Sequence, residues 1–330
     1  MLALKCNIQI SCKSGKIITF NYVDEIIINT SVKILTDKAI IKVPRKMSFK
    51  GRKLNEFISR GDKIQIKAGY EKKNLKYGLE TIFKGYITSI VNDKVLILEC
   101  QDPMCQLKQV QAKPGIFKNF NIKQYLKECG VDIIIPEEIS PLGSIKVDKD
   151  VSVAQFLDYL KGKYEFLKIF YYGDQLYCTS SVATLSELTK EIKFSPGNNI
   201  ISNTLKYIYA EDIKICIKAV CIKKDNTKLE VIEPEGCKEN IRTYYLPGYE
   251  TESELRQRAK KILNDYKVDK LEGSFIAFGV PIVRKCDIVR LYDKDRPEFN
   301  DKKFEVESVT YKFSKEGYRQ IITLGDKLKE

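Results

Sequence analysis

The sequence predicts a β-rich α+β protein. Two similar small β-barrels lie in one chain, with an inserted α+β module and a helix-containing insertion in the second barrel. Three observations carry this expectation. Most of the chain breaks into short runs that alternate apolar and polar residues between turn signals, the pattern of half-buried strands. Only a few segments have helical periodicity, and those bring their own caps. One β-pattern also occurs twice. Near the C-terminus, Cys286-Asp-Ile-Val-Arg-Leu291, Phe304-Glu-Val-Glu-Ser-Val309 and Arg319-Gln-Ile-Ile-Thr-Leu-Gly-Asp326 follow one another. A fainter copy is Gly61-Asp-Lys-Ile-Gln-Ile66, Gly85-Tyr-Ile-Thr-Ser-Ile90 and Val95-Leu-Ile-Leu-Glu-Cys-Gln-Asp102. Ile87-Thr88-Ser89-Ile90 aligns with Val306-Glu307-Ser308-Val309, Asp102 with Asp326, and Asp62 recurs as Asp287. The spacings differ, 25 residues from Asp62 to Ile87 against 19 from Asp287 to Val306. The difference falls in polar stretches, where loops absorb insertions at little cost.

Residues 1–107 are expected to form the first barrel, which their many short strands alone leave as a barrel or a sandwich. Asn7–Cys12 and Lys16–Tyr22 form a hairpin over Lys13-Ser-Gly15. Strands follow at Asp24–Thr30, Ser31–Leu35 and Lys38–Val43, and Pro44 closes the last. A loop covers roughly 44–60 with one helical turn at Leu54–Ile58, then strands at Lys63–Tyr70, Glu80–Ile90 and Lys94–Cys100. Residues 108–193 change texture and predict the α+β module. Asn121 caps a short helix that ends before Gly130, and Val131–Ile135 is a strand closed by Pro136. Ser152 and Gln155 form a capping box, behind which Val153, Phe156, Leu157 and Leu160 share one helix face. Phe166–Tyr172 and Gln175–Thr179 form a hairpin over Gly173-Asp174. The second barrel is expected over 194–240 and 280–330, with strands at Leu205–Ile208, Ile213–Ile222 and Lys228–Ile232 and a turn at Asp225-Asn226. The insertion, 241–279, holds a helix opened by the capping box Thr251-Glu-Ser-Glu254, with Leu255, Ala259, Ile262, Leu263 and Tyr266 on one face.

Composition narrows the function classes. At 330 residues the chain is long enough for two or three cores. Its 43% hydrophobic and 31% charged residues are those of a soluble globular protein. The N-terminus lacks the charged start and apolar run of a signal peptide, and no stretch approaches the ~18 apolar residues of a membrane helix. The expected site of synthesis is therefore a cytoplasm. None of the ten cysteines forms a Cys-x-x-Cys pair, so they are expected to be small buried hydrophobes and not a disulfide framework. The absence of histidine excludes Ser-His-Asp and Cys-His catalysis. The net charge is +13, and residues 1–110 carry 20 Lys and Arg against 10 Asp and Glu. The densest stretch, Lys42 to Lys76, includes Arg45, Lys46, Lys50, Arg52, Lys53, Lys72 and Lys73. It is either a patch for an acidic partner or nucleic acid or a solvated face.

No Walker P-loop, Gly-x-Gly-x-x-Gly or Gly-x-Ser-x-Gly sequence is present. The acidic pairs Asp24-Glu25, Glu137-Glu138 and Glu233/Glu235 are too ordinary to assign glycosidase chemistry. Asp62 and Asp287 precede strands and are expected to cap turns and not to bind metal. Tyr171-Tyr172 and Tyr244-Tyr245 are candidate interface anchors or buried strand residues. The expectation is of no enzyme, with no catalytic, cofactor-binding or metal residues and no cofactor.

Four passages in order give a resemblance. They are Gly61–Ile66 with Phe83–Ile90; Val151–Leu160 running into Phe166–Thr179; the helix at 252–266 running into Ile276–Val283 and Asp287-Ile-Val; and Phe304–Val309 with Gly317–Leu324. Together they resemble the baseplate hub proteins of contractile-tailed phages, the late-control D group, and the N-terminal hub part of VgrG spikes. Cys286 departs from the glycine that the family often has before the last-barrel aspartate. The resemblance implies a structural protein of a phage tail or contractile injection system. Three chains would place six barrels in a pseudo-sixfold ring, a symmetry adaptor between a tail tube and a trimeric spike. The implied partners are a homotrimer, tube, spike and other baseplate proteins, and the implied location is the virion tail baseplate or an injection machine. The chain ends soon after the barrel, so the spike is expected to be a separate polypeptide. A basic nucleic-acid-binding module and a tail-associated cell-wall hydrolase are the alternatives.

Overall fold

The computed structural model describes residues 3–44, 46–49, 51–71, 78–92, 94–137, 139, 142–164, 166–180, 185, 187–223, 227–246, 248–294 and 300–328. Arg45, Lys50, Lys72, Lys73 and Lys76 of the basic stretch, Glu138, and the Asp225-Asn226 turn lie outside the described residues.

Thirteen strands make one sheet. In chain order they are β1 (Ala3–Ser11), β2 (Ile17–Phe20), β3 (Glu25–Ser31), β4 (Lys38–Val43), β5 (Lys63–Glu71), β6 (Glu80–Asn92) and β7 (Leu96–Gln101). The rest are β8 (Glu191–Phe194), β9 (Ile200–Asn203), β10 (Ser274–Phe278), β11 (Ile288–Leu291), β12 (Lys303–Ser314) and β13 (Gly317–Lys327). Their lateral order is β9-β10-β13-β12-β3-β4-β7-β6-β5-β1-β2, with β11 beside β12 and β8 beside β11. The alternation that predicted strands also decides their faces. In β1, Cys6, Ile8 and Ile10 point inward while Asn7 and Gln9 point out. The run Ile26-Ile27-Ile28 splits the same way, with Ile26 and Ile28 fully buried.

The repeat seen in the sequence is a repeat of lateral strand order, with one difference: β1 runs antiparallel to β5, whereas β8 runs parallel to β11. One half of the sheet runs β3-β4-β7-β6-β5-β1 and the other runs β9-β10-β13-β12-β11-β8. Strand β5 meets β6 with Lys63 opposite Tyr86, and β11 meets β12 with Ile288 opposite Glu305. These are equivalent positions when Ile87 is aligned with Val306. The aspartates make the same turn in both halves. Asp62 accepts the N–H groups of Lys13 (2.9 Å) and Ser59 (2.7 Å) through its carboxylate. Its own N–H donates to Ser59 O (3.2 Å), its carbonyl accepts Ile87 N–H (2.9 Å), and Gly61 N–H donates to Ile87 O (2.7 Å). Asp287 accepts the N–H groups of Lys190 (3.0 Å) and Arg284 (2.7 Å). Its N–H donates to Arg284 O (3.1 Å), its carbonyl accepts Val306 N–H (2.8 Å), and Cys286 N–H donates to Val306 O (3.0 Å). Both aspartates are 1% exposed. The residue before each has a left-handed backbone, Gly61 at φ +89° and Cys286 at φ +75°. Asp102 and Asp326 also keep register, since Ile87 faces Cys100 and Val306 faces Leu324. Their roles differ, because Asp102 is buried and the Asp326 side chain is 88% exposed.

The two halves are joined. Strand β3 pairs with β12 from Ser31–Ser308 to Glu25–Ser314, and Arg284 bridges to Glu80 at 3.0 Å. One hydrophobic core runs through both halves, from Ile8 and Ile66 to Val289 and Ile322.

The α+β part has a core of its own, built on α1 (Met104–Leu107), α2 (Ile122–Glu128) and α3 (Val153–Lys163) with the hairpin Lys168–Tyr172/Gln175–Thr179. Asn121 caps α2 and the Ser152–Gln155 capping box closes on α3, as their spacing predicts.

Three expectations need correction. Ser31–Leu35 is not a strand beyond Ser31. There Ser31 Oγ accepts Lys33 N–H and the Asp37 carboxylate accepts Ser31 N–H, so side chains take the backbone groups a ladder would use. Val131–Ile135 makes only an isolated bridge, Ile134 to Tyr177. The expected second-barrel strands at Leu205–Ile208, Ile213–Ile222 and Lys228–Ile232 are not in the main sheet, whereas Ser274–Phe278, expected in the 241–279 insertion, is. Cys216–Ile222, Lys228–Glu233 and Ile241–Tyr245 form a separate three-stranded sheet. It buries Ile217, Ala219, Cys221 and Val231 against Leu255, Ala259, Ile262 and Leu263 of α4 (Glu252–Tyr266). The stripe on α4 needs an apolar sheet face, and the neighbouring strands supply it. A short ribbon, Lys206–Ile208 paired with Lys270–Glu272, carries this unit. Asp269 ties its base by accepting Tyr207 O–H (2.6 Å) and Ala210 N–H (2.9 Å).

Candidate functional site

A cleft of ≈ 240 Å³ lies where the main sheet meets the α+β part. Thr30, Thr81 and Tyr311 come from the sheet, Tyr171 and Tyr172 from the 168–179 hairpin, and Arg284 and Lys285 from the approach to β11. At its base sits a buried charged cluster. Asp37 and Lys285 pair at 2.6 Å with side chains 9% and 5% exposed. Asp37 N–H donates to Asp102 Oδ2 (3.0 Å) and Asp102 N–H returns to Asp37 O (3.1 Å). Asp102 Oδ1 accepts Met104 N–H at 3.1 Å. Burial, with the Asp37 charge second, pushes the Asp102 carboxyl up to about 7. Burial also raises Asp37, against the opposing pull of Lys285. Lys161 of α3 reaches across to donate to Val32 O (2.7 Å) and to Ile169 O (3.2 Å), and burial pulls it down to about 8.

Chemically, this cluster holds parts of the molecule together. It pairs no nucleophile with a base. Among the described residues no group of three or more Cys, Asp or Glu side chains is placed to hold a metal ion. Sequence reasoning passed over Asp37, Lys161 and Lys285, because nothing local marks a lysine that is buried by a partner far along the chain.

The residues singled out in the sequence are dispersed. Asp62 and Asp287 are spent on the two equivalent turns. Tyr171 and Tyr172 line the cleft. Tyr244 is hydrogen-bonded to Tyr266 inside the α4 unit, and the 40%-exposed Tyr245 has Lys163 Nζ 5.9 Å from its ring. The acidic pairs are structural. Glu25 pairs with Lys42 (2.7 Å), Glu137 accepts Thr179 O–H (2.9 Å), and Glu233 and Glu235 both bind Arg256. Cysteines 6, 12, 100, 178, 221 and 286 are buried thiols, but Cys216 and Cys237 form a disulfide, against the expectation for all ten. Within the basic half, Lys13, Lys16, Arg60 and Lys63 gather about the β1–β2 turn. Lys16 lies over Phe57 and Lys63 over Tyr86. None of the four has a carboxylate at ion-pair distance among the described residues.

No family model and no curated protein matches the chain. Solved structures do. The tail protein from Neisseria meningitidis MC58 matches over 99% of this chain and 97% of that one, at 15% identity and a TM-score of 0.65. The 43 kDa tail protein of prophage MuSo2 from Shewanella oneidensis matches over 97% of both chains, at 14% identity and a TM-score of 0.61. An E. coli component of the type VI secretion system, described as similar to T4 bacteriophage tail proteins gp27 and gp5, matches over 93% of this chain and 74% of that one. Its identity is 10% and its TM-score 0.51. Along nearly its whole length, therefore, the chain has the β-rich fold of phage tail proteins, shared with a type VI secretion component.

Proposed function

We propose that the protein is a structural baseplate hub of a phage tail or related contractile injection machine. Three copies form a ring, and each contributes two similar barrel-like units, so that six units stack on a sixfold tail tube. The other face of the ring keeps threefold symmetry for a trimeric spike. The observation that carries this reading is the repeated strand order with the same aspartate turn in each half. A duplication inside one chain gives a trimer six similar units, and that is what a threefold-to-sixfold joint requires. The full-length likeness to tail proteins supports the same assignment. In this reading the first unit holds β1 to β7, and the α+β module runs from α1 to the residues before β8. The second unit is interrupted by the α4 unit carried on the 206–208/270–272 ribbon. The partners are a tube protein, a spike protein and other baseplate proteins, and the role is architectural, without catalysis. The protein is made in the bacterial cytoplasm and works in the assembled tail.

Negative-stain class averages of the purified protein test this. Annular particles with threefold symmetry and six similar lobes are expected, and a field of compact single chains with no ring at any concentration contradicts it. A second reading, binding to nucleic acid, draws on Lys13, Lys16, Arg60 and Lys63, which have no carboxylate at ion-pair distance among the described residues. It predicts DNA binding that weakens steeply with salt, and no mobility shift at low salt removes it.

A further inference from the structure

The charged cluster under the cleft sits at a boundary. Among the described residues, no strand of the α+β part pairs with the main sheet. Apolar contacts between them include the cluster Val32, Phe170, Tyr177, Leu185 and Cys286, and Leu35 of the β3–β4 loop, which is buried in the core of the α+β part. Ammonium groups also cross the boundary, among them Lys84 of β6, which pairs with Asp174 in the hairpin turn. Lys161 leaves α3 to bind Val32 O in the sheet's β3–β4 loop. Lys168 leaves the 168–179 hairpin to bind Glu305 of β12 at 2.7 Å, with the Glu305 side chain 6% exposed. Lys285, from the sheet side, holds Asp37 and places its Nζ 5.2 Å from the Phe170 ring. Buried ions of this kind are costly to separate but contribute little net stability when paired. They make a joint that holds firmly while both members of each pair are present and loosens when one member of a pair is removed.

We propose that Asp37, Asp102, Lys285, Lys161 and the Lys168–Glu305 pair form a charge-operated latch holding the α+β part on the sheet, and that mild acidification tightens it. The direction follows from the arrangement. Asp37 and Asp102 lie side by side. Among the described residues Asp37 has an ammonium at ion-pair distance, Lys285, and Asp102 has none, so a proton on Asp102 removes a buried negative charge that no cation pairs. The groups facing the pair are Lys161 from α3, Cys105 from α1, Tyr171 from the hairpin and Tyr311 from β12. Asp158 and Cys178 face Lys161. Burial holds the cysteines and tyrosines protonated near neutrality, so Asp102 is the group that titrates first there. Lys161 acts in a separate, alkaline window above about 8.

Hydrogen exchange by mass spectrometry on the full chain tests the latch. Lys285→Met is expected to speed exchange at least tenfold in segments 32–37 and 168–172, while the α4 unit keeps its protection. Lys161→Met, a milder change, is expected to do the same to a lesser degree. Asp37→Asn combined with Lys285→Met is expected to recover most of the lost protection, because Asn still accepts Ser31 N–H and the two charges of the pair leave together. In the wild-type protein, after correction for the intrinsic rate, the same segments are expected to exchange more slowly at pH 5.5 than at pH 7.5. Equal loss of protection in all units, no change at the boundary in either lysine variant, or faster corrected exchange at pH 5.5 overturns the proposal.

Discussion

Alanine at Asp62 removes the carboxylate that receives Lys13 N–H and Ser59 N–H inside a site that is 1% exposed. Each buried N–H left without a partner costs about 1–3 kcal/mol, so Asp62→Ala is expected to lose about 2–6 kcal/mol. Asp287→Ala strands Lys190 N–H and Arg284 N–H in the same way and is expected to lose a similar amount. Asparagine keeps one good acceptor oxygen, so Asp62→Asn and Asp287→Asn are expected to lose roughly half as much. The chain has no tryptophan, so urea unfolding is best followed by far-UV circular dichroism and tyrosine fluorescence. Losses below about 0.5 kcal/mol, within the range of ordinary surface substitutions, refute the reasoning. So does a large loss at one aspartate and none at the other, because the equivalence of the two turns then fails.

Three further outcomes follow from single sites. Cys286 holds φ +75° with a buried side chain. Glycine there relieves about 1 kcal/mol of left-handed strain and loses about as much burial, whereas Cys286→Val, β-branched at positive φ, is expected to lower the melting temperature clearly. Reducing the Cys216–Cys237 bond frees a 21-residue separation and is expected to cost roughly 3 kcal/mol. The loss should be read as exchange confined to 216–245, and an unchanged exchange pattern refutes it. Asp102 titrates near 7 in the folded chain against 3.8 ordinarily, so the native state holds its proton more tightly. Its stabilising contribution is full below about pH 4 and is lost as pH rises through about 7. Asp102→Asn is therefore expected to flatten the stability profile between those limits in a series of urea melts, and an unaltered profile contradicts the assignment.

What was legible in the sequence was local. The Ser152–Gln155 and Thr251–Glu254 boxes were visible because cap and partner are three residues apart. The faces of β1 and β3 were visible because the pleat has a period of two. The Asp62/Asp287 equivalence was visible because each aspartate stands before a strand of one recurring pattern. What was hidden depends on distant partners. Thr30 and Val309, 279 residues apart, lie in the strands that join the two halves. Nothing near either residue announces that pairing. The strands at 216–233 alternate as main-sheet strands do, and their separate sheet is decided by α4, which follows them in the chain. The cleft cluster was missed for the same reason, since Asp37 and Lys285 lie 248 residues apart and look individually like surface charges. The basic character of the N-terminal half was plain, but which lysines find carboxylates, such as Lys5 with Glu71, is decided by the fold.

The central claim is that this chain assembles by threes. Light scattering on a size-exclusion column measures it directly. The account predicts a particle of three times the 38.0 kDa chain mass, holding that mass on tenfold dilution from micromolar concentration. A particle of one chain mass across that range, with the tube and spike proteins added and still no ring, contradicts it.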